Sequence, residues 1–150
     1  MAHRVFKSFF SAKDVLFIGY SKRQAAFCKG VKDAFERAGA KVDPVNPSGG
    51  PEGVAVYAPL AAVPATPELA YILTSKANTA NLVDGLASRG VKRVIFQSRM
   101  SVDDATLGRC SVLGMETAVA CPLMAFGGGF HKFHGFLAGV RASERAEAQA

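Results

Sequence analysis

Glycine, serine, lysine and arginine grouped behind an apolar run are residue types suited to holding phosphate. Gly19-Tyr20-Ser21-Lys22-Arg23 supplies them directly after Val15-Leu16-Phe17-Ile18. A buried strand that stops at a glycine, turns briefly and enters a helix is where α/β folds place anions. The free N–H groups of the helix start point at that turn. An ordinary βα turn with solvated charges is the alternative. The dinucleotide fingerprint G-x-G-x-x-G is not met, because Ser21 and Gln24 stand where its later glycines belong. A pyrophosphate pressed on the helix as in NAD enzymes is therefore disfavoured.

The second motif is Val45-Asn46-Pro47, followed by Ser48-Gly49-Gly50. An NAD enzyme usually carries Asp or Glu here to hold the ribose hydroxyls. Asp43 sits too early, inside the expected strand. Val45 and Pro47 are suited to wall an adenine face, with Asn46 at its edge, and the glycines allow close backbone approach to a ligand. A proline turn that merely ends the strand is the alternative. The third motif is Cys121-Pro122. Its thiol invites a redox reading, yet the nearest histidines, His131 and His134, lie ten and thirteen residues on. A buried cysteine acting as a small hydrophobe is the commoner case. Two histidines without a thiolate or carboxylate partner make a poor metal site, so neither catalytic nor metal-ligating residues are assigned.

The elements that position these motifs alternate. Residues 4–12 read as a lead-in helix with Phe6, Phe9 and Phe10. Strands are expected at 14–19, 41–45, 69–74, 92–97 and 116–120, and helices at 23–38 and 76–89. The first strand lacks polar alternation, as expected where both faces of a parallel sheet are covered. Phe27, Cys28, Val31, Ala34, Phe35 and Ala38 recur at helical spacing. Gly39, Gly90 and Gly114 each precede a strand by about two residues, the rhythm of αβ connections. A further helix is expected after Ser101 as cap, with Asp103 and Asp104 in its first turn. Residues 46–67 form a proline-rich connection in which 54–57 is a candidate extra strand. The pattern predicts an α/β, Rossmann-like three-layer domain of about five parallel strands, with helices on both faces.

A chain of 150 residues holds one domain with a real core, here expected over 13–122 with an extension over 123–150. No run approaches the ~18 apolar residues of a membrane span, and no cleavable leader is evident at the basic start. Three scattered cysteines, Cys28, Cys110 and Cys121, fit reduced thiols and a cytoplasmic location. The net charge of +6 favours anionic partners. Nucleic acid is disfavoured, because the basic residues around Lys22, Arg23, Lys29 and Lys32 lack interleaved aromatics. Phe126, Phe130, Phe133, Phe136 and Leu137, with Gly127-Gly128-Gly129 between the first two, predict a homodimer contact. An intramolecular lid is the alternative.

In order and spacing these motifs resemble the small standalone CoA-binding proteins of Rossmann-like fold. The chain is also similar, more distantly, to the CoA-binding domain of succinyl-CoA synthetase alpha subunits. The resemblance runs from about residue 13 to 122. It rests on Val15 to Arg23, on Val45-Asn46-Pro47 with Gly49-Gly50, on Val56-Tyr57 to Leu60, and on Cys121-Pro122. It departs at Tyr20, where a small residue is usual, and after Pro122. It implies that Gly19, Ser21, Lys22 and Arg23 surround phosphates, and that Val45, Pro47 and Gly50 hold adenine and ribose; Tyr20 and Asn46 are counted with these cofactor-binding residues from their places in the two turns. It also implies that Thr74, Ser75 and Lys76 border the diphosphate or pantetheine path, with Gln97, Ser98, Cys121 and Pro122 at the remaining strand ends. The expected function is non-catalytic binding of CoA or an acyl-CoA. The alternatives are an NADP-dependent oxidoreductase or a CoA-ligase subunit needing a partner chain, and a basic interaction module with a vestigial pocket.

Overall fold

The computed structural model describes residues 9–46, 49–57, 63 and 67–123. Most of the expected lead-in helix, Pro47, Ser48, Leu60 and the aromatic and histidine-bearing extension after Leu123 lie outside the described residues.

Five strands form one sheet: β1 (Asp14–Ile18), β2 (Lys41–Val45), β3 (Leu69–Ile72), β4 (Arg93–Phe96) and β5 (Glu116–Val119). Every pairing is parallel, in the order β2-β1-β3-β4-β5. The described helices are α1 (Ala25–Arg37), α2 (Lys76–Ser88) and α3 (Asp104–Val112). This is the Rossmann-like α/β architecture expected from the alternating pattern.

Strand residues with a two-residue period feed two cores. Leu16, Ile18, Ala70, Ile72, Val94 and Phe96 pack with Val83 and Leu86 of α2 and Leu107 and Cys110 of α3. Val15, Phe17, Leu69, Tyr71 and Ile95 pack with Cys28, Val31 and Phe35 of α1. Both faces are thus apolar, which is why β1 shows no polar alternation. Phe9 joins the α1 core, and Phe10 stacks on Phe35 with ring centroids 6.0 Å apart.

Local chemistry sets the element ends. Gly39, Gly90 and Gly114 follow the helices with φ of 98°, 86° and 78°, the left-handed conformation that lets a helix stop and a strand begin. Pro44 is tolerated inside β2 because of its direction. Val45 O accepts from Gly19 N–H on the inner side, whereas Pro44 O accepts from Tyr57 N–H on the outer side. The missing Pro44 donor therefore faces the sheet edge. The extra strand expected over 54–57 reduces to one parallel bridge, Val45 to Tyr57, outside β2.

Two expected boundaries are corrected. Helix α1 begins at Ala25 rather than at residue 23, because residues 22–24 form a turn first. The cap of α3 is Asp103 rather than Ser101, which is buried. The Asp103 carboxylate accepts from Thr106 N–H at 2.8 Å. Val102 before the cap and Leu107 after it join the same core and fix the entry angle as a hydrophobic staple.

The Thr106 N–H and hydroxyl hold the Asp103 carboxyl below its ordinary range. A depressed folded value means that its stabilisation is present above the unfolded pKa of about 3.9 and is lost as pH falls through the folded value. Asp103→Ala is expected to lower the melting temperature at neutral pH, and the gap from wild type to shrink on acidification below about 3.9. Melts followed by circular dichroism check this. A gap that stays constant with pH would rule out an ionised cap.

Candidate functional site

In this strand order the chain leaves β1 toward β2 on one side and returns to β3 on the other. Such a reversal opens a crevice at the C-terminal ends of the two central strands. Gly19 lies in it with φ of 97°. A Cβ on Gly19 would sit 3.1 Å from the Leu73 carbonyl carbon and 3.2 Å from Thr74 Cγ2. Only glycine lets the turn lie flat against the end of β3.

The turn is also fastened to β2. Gly19 N–H donates to Val45 O at 2.9 Å, and Asn46 Nδ2 donates to Tyr20 O at 3.0 Å. Asn46 N–H reaches Tyr57 O, and its carbonyl accepts from Gly49 N–H, both at 3.0 Å. Asn46 therefore joins three segments, and its amide nitrogen holds protein backbone. Gly50 is needed for a close approach, but the approaching group belongs to the protein: its Cβ would fall 2.3 Å from Val56 Cγ2. Val45 is buried in the core beneath this corner.

The five residues 19–23 divide by direction. The Tyr20 side chain is buried, edge-on to Phe17 at 5.0 Å between centroids, and burial raises its phenol pKa. Its place at the turn is held by backbone alone, which is how a large residue is accommodated where a small one is usual. Ser21 N–H and its hydroxyl face the sulfur of buried Cys28; burial raises that thiol's pKa and the Ser21 bonds oppose the rise. Lys22 and Arg23 are exposed, with no ion pair among the described residues. Lys29 and Lys32, by contrast, pair along α1 with Asp33 at 2.6 Å and Glu36 at 2.5 Å. Helix α1 begins without a side-chain cap and without an acidic residue in its first turn. Its uncapped start and the two exposed cations thus lie at the same turn.

Beyond β3, Thr74 Oγ1 bonds Thr79 Oγ1 at 2.9 Å, and Ser75 caps α2 by accepting from Asn78 N–H at 3.4 Å. Lys76 is exposed at the first position of α2. Beyond β4, Gln97 Oε1 accepts from the Tyr71 hydroxyl, and Ser98 Oγ accepts from Met100 N–H at 3.2 Å. Cys121 is half-buried after β5, and Pro122 is buried.

The fold thus brings residues 19–23, Asn46, Thr74 to Lys76, Gln97, Ser98 and Cys121 to one edge of the sheet. Within five residues after each strand there is no carboxylate, while Lys22, Arg23, Lys76 and Arg99 all fall there. The opposite edge mixes signs, with Asp14, Glu68 and Glu116 among Lys13, Lys41, Lys92 and Arg93. Farther past β4, Asp103 and Asp104 open α3 at the C-terminal edge, and Asp104 pairs with Arg99 at 3.0 Å, so the cations left to attract an anion are those of the first turn. Sequence reasoning missed Tyr71, Cys28 and Thr79 as partners of Gln97, Ser21 and Thr74. A tyrosine in an otherwise aliphatic strand, three residues before the strand's expected polar end at Thr74, was the one available signal.

The chain belongs to the CoA binding domain family, whose model matches residues 13–126. None of the curated proteins matches it. Among solved structures it is similar to Prb, a redesign for binding of the PH1109 protein. That pair has a TM-score of 0.73 and 18% identity over 84% of this chain and 89% of that one. It is also similar to a hypothetical protein from Pyrococcus horikoshii OT3, with a TM-score of 0.72 and 18% identity over 83% of this chain and 89% of that one. A Thermus thermophilus protein gives a TM-score of 0.71 and 18% identity over 84% and 96% of the respective chains. At this identity the structures agree in fold.

Gly19 and Gly39 share the same left-handed φ, but nothing lies within 4 Å of a Cβ at Gly39. Gly39→Ala is expected to cost about 1 kcal/mol through backbone strain alone. Gly19→Ala is expected to cost more, because Leu73 and Thr74 must also move. Urea unfolding of the two variants checks the ranking; equal losses would show that β3 yields freely.

Proposed function

We propose that this protein binds CoA or an acyl-CoA at the C-terminal edge of its sheet and acts as a binding protein rather than an enzyme. The observation that carries the reading is the Gly19 turn, where Lys22 and Arg23 stand exposed without an ion pair among the described residues beside the uncapped start of α1. Membership of the CoA binding domain family supports it. The diphosphate is assigned to the crevice between β1 and β3, against the uncapped start of α1. The adenine falls toward Asn46 at the end of β2, and the pantetheine arm runs over the ends of β3, β4 and β5.

A nicotinamide dinucleotide fits less well. The position after β2 is Asn46, and Asp43 is buried within the strand with no reach to a ribose. CoA carries more negative charge than NAD, which suits the cations Lys22 and Arg23, unpaired among the described residues, at the first turn.

In calorimetry with CoA, acetyl-CoA, NAD, NADP and ADP, CoA and acetyl-CoA are expected to bind most tightly. At one hundred times its Kd a ligand adds about 2.7 kcal/mol of stability, so a thermal-shift panel reports the same ranking. NAD matching or exceeding CoA would reverse the assignment.

Arg23→Glu is expected to weaken CoA binding more than tenfold, since a charge-assisted hydrogen bond is worth about 1.5–3 kcal/mol. Its urea midpoint is expected to hold, because the residue is exposed. Wild-type affinity in this variant would move the phosphates elsewhere.

A further inference from the structure

Tyr71 is fully buried in a strand whose other residues are aliphatic. Its ring is held on two sides, edge-on by Phe17 at 4.8 Å and tilted against Phe35 at 6.1 Å between centroids. The hydroxyl reaches past the end of β3 to Gln97 Oε1. A phenol stripped of water must donate its proton to an acceptor, or the desolvation cost is left uncompensated. Burial, with Cys121 and Cys28 nearby, raises the Tyr71 pKa and keeps that proton in place. The donor is therefore Tyr71 and the acceptor is the Gln97 amide oxygen.

This has a consequence at the other end of the amide. A primary amide is planar, with its oxygen and nitrogen on opposite sides. Once Oε1 is fixed by Tyr71, the Nε2–H anti to that oxygen points opposite to the carbonyl, away from the Tyr71 hydroxyl. Gln97 is half-buried, and its backbone N–H still bonds Ile72 O at 3.1 Å, so it stands at the rim between β3 and β4. The rim thus carries a neutral, oriented donor two strands away from Lys22 and Arg23. At a strand spacing of about 4.8 Å, that is roughly 10 Å from the cationic turn. A neutral donor at that remove suits a neutral acceptor.

We infer that Gln97, oriented by Tyr71, recognises a carbonyl on the non-nucleotide arm of the ligand, either an amide or a thioester carbonyl. Tyr71 is a positioning residue, and Gln97 is the residue that touches the ligand. This rests on the CoA reading above and adds to it: phosphate recognition belongs to β1, and recognition of the arm belongs to β4.

The test compares the affinity of CoA with that of adenosine 3′,5′-bisphosphate, which carries the nucleotide and lacks the arm. In Gln97→Met the preference for CoA over the bisphosphate is expected to fall about tenfold, the loss of one hydrogen bond to the ligand. Gln97→Glu still accepts from Tyr71 but has no donor to offer, and is expected to lose the preference at least as far. Tyr71→Phe keeps the ring packing and frees the amide to turn, for a fall of about threefold. The Tyr71→Phe and Gln97→Met double variant is expected to be no worse than Gln97→Met alone, which a purely structural role for Tyr71 would not produce. A preference unchanged in both Gln97 variants overturns the inference and leaves the CoA reading standing. Equal weakening of both ligands also overturns it, by making Gln97 a phosphate contact. Wild-type protein that binds neither ligand overturns the CoA reading and this inference together.

Discussion

The C-terminal edge of the sheet depends on one backbone constraint: the chain must leave β1 without a side chain. At Gly19 the backbone is left-handed and lies within van der Waals reach of Leu73 and Thr74. That contact keeps the first turn low over β3 while Gly19 N–H closes on β2. Because β1 sits between the two, the same residue sets the width of the crevice. A Cβ there would push the turn away from β3 and loosen its bonds to Val45 and Asn46.

Several polar residues that sequence reasoning assigned to a ligand are occupied within the protein. Ser21 faces Cys28, Thr74 bonds Thr79, Ser75 caps α2 and Asn46 ties three segments. This division has a physical reason. Strand ends that carry a binding crevice expose backbone groups, and each must be satisfied or solvated. Short polar side chains close those bonds locally and fix the loops. The longer or more exposed groups at this edge, Lys22, Arg23, Lys76 and the Gln97 amide, are the ones that the proposed function assigns to the ligand.

Charges of both signs stand at the strand starts, where Asp14, Glu68 and Glu116 lie among Lys13, Lys41, Lys92 and Arg93, whereas the first five residues after each strand carry only cations. Helices in βαβ units begin at that same end, so their dipoles add to the side-chain field. Helix α3 is the exception: Asp103 and Asp104 occupy its start and use it as a structural cap. Helix α1 has neither a side-chain cap nor a first-turn acid, and it adjoins the Gly19 turn. Capping chemistry thus separates a helix start that serves the fold from one open to an anion.

The parallel sheet, its apolar strands and the glycine punctuation were legible in the sequence because they follow from local rules. An unbroken apolar run needs cover on both faces, and glycine is the residue that ends a helix in the left-handed region. The Gly19 turn and the missing acid after β2 were legible for the same reason. What sequence alone left open were the partners across the fold. The shift of the α3 cap from Ser101 to Asp103 follows from the burial of Ser101 and Val102 in the tertiary core. The turning of Tyr20 inward depends on Phe17 beside it in space. The pairing of Tyr71 with Gln97 spans 26 residues and exists only because β3 and β4 are neighbours. Periodicity records which residues are buried, since burial repeats along an element. Which polar group meets which depends on strand order, and that was decided by how the helices pack across the two faces of the sheet.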